Sequence, residues 1–300
     1  MRGQTSPIES TARPALRLDP EHPSLPGGEI RERRVPGSPA PVCDLYVPSR
    51  IRRGAPRLVL VHGISRNARE HVEAFAPFAE ERGWLLIAPR FDPTTYGDYQ
   101  RLGRCGRGAR ADRALDQLLL DVASEYPETD DRLALFGFSG GGQFAHRYLM
   151  AQPDRVAAAV VAAAGWYTFP DPARRYPYGL RTGRSLPGVR FVPTRFRRVP
   201  TRVVVGSEDT ARDPSLRQSA SLDATQGRNR VERARRWVKA MNGLASPGPD
   251  LELRLLAGVG HDFGANLEAG LVGQAVSFLE PYMVPAHRTV ALDARPGPKS

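Results

Sequence analysis

Cysteine is nearly absent, with only Cys43 and Cys105 in 300 residues. That excludes a disulfide framework and a multi-cysteine zinc site, and it fits a reducing, cytoplasmic compartment. Lysine is equally scarce: Lys239 and Lys299 stand among 43 basic residues, and the others are arginine. The arginines run along the whole chain. The formal net charge of +11 therefore reads as an arginine-biased composition, not a phosphate-binding design, and no nucleic-acid partner is expected. Long apolar runs are missing too. None approaches the roughly 20 residues of a membrane span, so no membrane partner is expected. The opening Met1-Arg2-Gly3-Gln4-Thr5-Ser6-Pro7 has no apolar core of the kind that marks a secretory signal. There is no G-x-x-x-x-G-K loop and no H-E-x-x-H pair, and His62 and His71 are too far apart for an i,i+4 zinc pair. Neither a cofactor nor a metal is expected.

What is present is an alternation of strand and helix signals. Residues 1–28 read as a loose, proline-rich leader, 29–284 as one domain and 285–300 as a tail. Pro41 to Val47 alternates and reads as an antiparallel opening strand. Near-continuous apolar runs at 57–61, 84–89, 132–137, 155–164, 201–205 and 251–256 read as buried parallel strands. Between them, apolar spacing predicts helices at 67–82, 111–126, 140–151, 229–242 and 267–280. Pro77 is expected to kink or split the first of these. The run Arg233-Ala234-Arg235-Arg236 has helical spacing and reads as a solvated face. Residues 165–200 have no clean period and are expected to overhang the site. The alternation implies an α/β fold, mostly parallel, with helices on both faces and its ligand at the carboxyl ends of the strands.

Chemistry-bearing residues follow those strands. Gly137-Phe138-Ser139-Gly140-Gly141 matches G-x-S-x-G between a strand and a helix, the setting of a nucleophile elbow. There a serine hydroxyl projects at a helix N-terminus whose N–H groups can receive negative charge. Serine needs a base oriented by a third group. Three histidines lie downstream. His146 falls inside the following helix and is expected to be packed, and His287 lies in the tail. His261, in Gly260-His261-Asp262 after the last strand, is the expected base. Gly206-Ser207-Glu208-Asp209-Thr210 follows the preceding strand, and Asp209 is the expected orienting acid, with Glu208 and Asp213 as rivals. In His62-Gly63-Ile64-Ser65, the Ile64 N–H is expected to pair with that of Gly140 around an oxyanion. His62 is expected to shape its loop. Together with Phe138, Trp166 and Tyr167, it is also a candidate for contact with substrate.

These motifs resemble the α/β-hydrolase superfamily from about residue 40 to 281. Val61-His62-Gly63-Ile64-Ser65-Arg66-Asn67 and Ala163-Ala164-Gly165-Trp166-Tyr167 are similar to the esterase and polyhydroxybutyrate-depolymerase-like group. The resemblance implies an α/β-hydrolase fold with a mostly parallel eight-stranded sheet. It also implies hydrolysis of a carboxylic ester, short acyl or hydroxyalkanoate-type, through an acyl-enzyme. A dehalogenase would want Asp, and a dienelactone-type hydrolase Cys, where this chain has Ser139. Secreted depolymerases carry a signal peptide and often a binding domain, and neither is visible, so a small soluble ester is the expected partner. The alternatives are a thioesterase or peptidase on the same fold, or a non-catalytic binding protein.

Overall fold

The computed structural model describes residues 27–35, 40–54, 56–127 and 129–283. The expected leader, apart from Gly27 and Gly28, and the expected tail lie outside the described residues. Eight strands form one sheet: β1 (Glu29–Arg33), β2 (Cys43–Val47), β3 (Pro56–Val61), β4 (Leu86–Pro89), β5 (Asp130–Phe138), β6 (Val156–Ala162), β7 (Thr201–Gly206) and β8 (Glu252–Leu256). Their order is β1-β2-β4-β3-β5-β6-β7-β8. β2 pairs antiparallel with both β1 and β4, and every other pairing is parallel. Among the described residues, eight α-helices accompany them: α1 (Ala68–Arg82), α2 (Ala111–Glu125), α3 (Gly140–Ala151), α4 (Pro193–Phe196), α5 (Ala220–Gln226), α6 (Arg230–Asn242), α7 (Phe263–Glu268) and α8 (Leu271–Leu279).

Alternation along the central strands divides the core in two. Val59 and Val61 of β3, Leu133 and Leu135 of β5 and Val203 and Val205 of β7 pack with α2, α3 and α6. Leu58 and Leu60, Ala134 and Phe136, and Val204 pack on the other face with α1 and α8. This two-sided burial explains why the strands read as continuous apolar runs. β1 gave no such signal because its EIRER sequence is mostly exposed at the sheet edge.

Pro77 does not split α1, which runs unbroken from Ala68 to Arg82. The last predicted helix, by contrast, divides in two. Gly270 sits at φ 86° between α7 and α8, a left-handed position that a helix cannot continue through. Arg233 corrects the reading of its run as a solvated face. It is fully buried, and its guanidinium donates to the carbonyls of Gly227, Gly165 and Arg217 and to Asp223. Cys43 and Cys105 are both free. Among the described residues, no helix is long and apolar enough to cross a membrane.

Candidate active site

The strand-to-helix turn from β5 to α3 shapes the site. Ser139 sits between them at φ 55°, ψ −110°, a strained conformation for a residue with a side chain. Its N–H donates to the Ala162 carbonyl at 2.8 Å, which pins the turn to β6. The neighbouring backbone is too close for any side chain. A Cβ on Gly141 would lie 1.8 Å from the Val61 carbonyl oxygen, and one on Gly137 would lie 2.2 Å from that of Gly141. The two outer glycines of the motif are therefore demanded by packing, and the strain holds the Ser139 hydroxyl outward.

Three loops that are distant in sequence meet there. Ser139 Oγ lies 2.9 Å from His261 Nε2, and His261 Nδ1 lies 2.8 Å from Asp209 Oδ2. Because the carboxylate accepts from Nδ1–H, Nε2 is left to accept from the hydroxyl. Phe138 stacks on the His261 ring, with centroids 5.5 Å apart and planes at 19°. Asp209 is 1% exposed; its turn is closed by its own N–H to the Gly206 carbonyl at 3.1 Å. Glu208 projects to solvent, and Asp213 pairs with Arg230 instead of the imidazole. Arg230, which sequence reasoning missed, also donates to Asp209 Oδ1 at 3.1 Å.

Gly140 opens α3, so its N–H has no intrahelical acceptor. Ile64, after β3, projects its side chain beside this turn, with Cγ2 3.2 Å from where a Gly140 Cβ would be. The Ile64 N–H has no protein acceptor among the described residues. The arrangement can move a proton from a hydroxyl to an imidazole and offer two N–H groups to a nearby negative charge.

A cleft of about 390 Å³ opens over Ser139. Its walls come from Ile64, Ser65, Asn67 and Glu70, from Phe138, and from Ser215, His261, Asp262 and Phe263. The other proposed substrate contacts correct the sequence reading. His62 is fully buried: Nε2 accepts from the Phe91 N–H at 3.0 Å and Nδ1 donates to the Gly63 carbonyl at 2.8 Å. Burial pulls its pKa down to about 4. It anchors the loop that carries Ile64. Trp166 and Tyr167 also lie away from the cleft. The Arg147 guanidinium stands 4.4 Å from the centre of the Trp166 ring, and Tyr167 stacks on Trp237 at 4.7 Å. No residue of 165–200 lines the cleft; Trp166 and Tyr167 are instead buried against Arg147 of α3 and Trp237 of α6. His146 is packed as expected, with Nε2 accepting from the Thr168 N–H at 3.0 Å.

The sheet order and the helices on both its faces are those of the α/β-hydrolase fold. No protein-family model matches the chain, and no curated protein matches it either. Solved structures do match. The chain is similar to poly(aspartic acid) hydrolase-1 from Sphingomonas sp. KT-1, with a TM-score of 0.68, 23% identity, 83% of this chain covered and 97% of that one. It is similar to the poly(3-hydroxybutyrate) depolymerase LpqC from Bordetella parapertussis, with a TM-score of 0.64, 25% identity, and coverage of 82% and 85%. It also matches an S-formylglutathione hydrolase from Agrobacterium tumefaciens at a TM-score of 0.55 and 15% identity, over 84% of this chain and 95% of that one.

Proposed function

We propose that the protein is a cytoplasmic serine hydrolase of small carboxylic esters. The observation that carries this reading is the unbroken hydrogen-bond line from Ser139 Oγ through His261 to buried Asp209. In this reading Ser139 attacks the ester carbonyl while His261 Nε2 takes the hydroxyl proton. The developing oxyanion is received by the Ile64 and Gly140 N–H groups, each worth about 3–4 kcal/mol in comparable sites. His261 then returns the proton to the departing alcohol, leaving an acyl group on Ser139. Water, deprotonated by the same imidazole, then attacks the acyl carbon; the bond to Ser139 Oγ breaks, the imidazole returns the proton to Oγ, and the carboxylic acid leaves. Asp209 holds one tautomer of His261 and stabilises the imidazolium.

The likeness to a poly(3-hydroxybutyrate) depolymerase supports hydroxyalkanoate-type esters as the first substrates to try. A cleft of about 390 Å³ suits a short acyl group or oligomer end. Its carboxylates, Glu70 and Asp262, are unmatched by any lysine or arginine in the lining. That weighs against polyanionic substrates such as the poly(aspartic acid) named for the Sphingomonas protein. Matched short-acyl ester, thioester and amide substrates test the proposal. The ester is expected to have the highest kcat/KM, and Ser139→Ala to abolish its turnover with the fold intact. Undiminished turnover by Ser139→Ala would refute the assignment, and preference for the amide would redirect it to a peptidase.

A further inference from the structure

The hydrogen-bond line does not end at Asp209. Arg230, the first residue of α6, is as buried as Asp209, at 1% exposure. Its Nη1 donates to Asp209 Oδ1 at 3.1 Å and to Asp213 Oδ2 at 2.7 Å. Its Nη2 donates to Asp213 Oδ1 at 3.3 Å and to Ser215 Oγ at 2.6 Å. One guanidinium thus grips two carboxylates, and Arg230 holds the Asp213 carboxyl well below its usual range. The Asn229 side chain caps the helix by accepting from the Glu232 N–H at 2.9 Å, which fixes where Arg230 starts.

This matters because a buried carboxylate with one satisfied oxygen can rotate, and a buried charge without a counter-ion is costly. Arg230 meets both needs by occupying Oδ1 and leaving Oδ2 for His261. We propose, building on the serine-hydrolase reading, that Arg230 is a positioning residue that fixes the Asp209 carboxylate toward His261, with Asp213 tempering its charge. Arg230 does not itself line the cleft, so it acts through Asp209.

The charges and titratable groups around His261 set the sign of the effect. Asp209 faces it directly, with Glu208 beside Asp209 and with Arg230 and Asp213 behind. Ser139 lies on the elbow, Asp262 follows His261 in its own loop, and Glu70 of α1 shares the cleft. The Tyr167 phenol, pushed up by burial, also feels Asp209. Arg230 is the cation of this set. Removing its charge leaves Asp209 and Asp213 unopposed, which favours the imidazolium. Removing the Asp213 charge leaves the guanidinium wholly to Asp209, which disfavours it.

The test is the pH dependence of fluorophosphonate labelling, which reads the activated serine without knowledge of the substrate. Wild type, Arg230→Met, Arg230→Lys and Asp213→Asn are compared. Arg230→Met is expected to lower the maximal labelling rate on the order of 10- to 100-fold, the range found when a metal-bound histidine or carboxylate loses its outer hydrogen-bond partner. Its acidic limb moves up by about half a pH unit or more, and that of Asp213→Asn moves down. Arg230→Lys keeps the charge and the wild-type limb. Should Arg230→Met fail to fold, the other two variants carry the test. Limbs that coincide in all folded variants, or that move in one direction together, overturn the role of Arg230 and leave Ser139 as the nucleophile. Absence of labelling in wild type overturns the reading on which the inference rests.

Discussion

Two regions meet α3, and they treat their side chains in opposite ways. At its N-terminus, Ser139, His261 and Asp209 are linked by directed hydrogen bonds beside an open cleft. Along its flank, Trp166, Tyr167 and Tyr176 of the 165–200 stretch are buried. They pack on Arg147, Trp237 and Phe191. The first region gains its order from strand ends and backbone strain, the second from apolar burial. Each is pinned by a buried neutral histidine. His62 bonds the Phe91 N–H beneath the Ile64 loop, and His146 bonds the Thr168 N–H within the aromatic stretch. Aromatic residues that follow the Ser139 turn are therefore not pocket residues by proximity in sequence; Trp166, Tyr167 and Tyr176 are core.

The largest effect expected from breaking this contrast is at Ser139. Ser139→Ala should lower kcat by about 10⁵- to 10⁶-fold, as removal of a triad nucleophile does elsewhere, and leave the thermal midpoint within a few degrees. Ester turnover and calorimetry on the same sample check both halves. Trp166→Ala should do the reverse. Truncation of a buried aromatic costs about 3–5 kcal/mol of stability, visible in a urea midpoint, while the labelling rate of Ser139 in the folded fraction stays unchanged. A large drop in that rate would return Trp166 to the substrate pocket.

Acid sharpens the comparison next, because it attacks both pins together. The pKa of His62 is lowered to about 4 and that of His71 to about 3, while that of His146 lies well below its ordinary value, each chiefly through burial. Below pH 6.5 the unfolded chain binds protons that the folded chain refuses, so stability falls as pH falls. At pH 5 the loss should be about 2 kcal/mol for His62 alone. Denaturant titrations at pH 7 and pH 5 measure it, and a midpoint that does not move would contradict neutral, buried pins. The smallest effect expected is at the surface of α6. Arg235→Ala should change stability by no more than about 0.5 kcal/mol, against several kcal/mol for Arg233→Ala, whose removal strands buried acceptors and Asp223.

Much of this arrangement is readable from residue order alone. The buried strands are legible because both of their faces are apolar. Ser139 and His261 are legible because their motifs follow strands. The choice of Asp209 over Glu208 is harder to read, since both follow β7 and the turn geometry decides which one faces inward. β1 carries charged residues that hide its strand. Arg230 and Arg233 look like surface residues in a string of arginines. Only the positions of Asp209, Asp213 and the Gly165 carbonyl reveal that they point into the protein. Long-range partners of this kind leave no periodic mark in a sequence.

Activation of Ser139 by His261 underlies the whole proposal. It is tested most directly by incubating the protein with a fluorophosphonate probe beside Ser139→Ala and His261→Ala, then locating the adduct by peptide mass spectrometry. One adduct, on Ser139, is expected in wild type alone. A folded wild type that remains unlabelled, or an adduct that persists in Ser139→Ala, would contradict it.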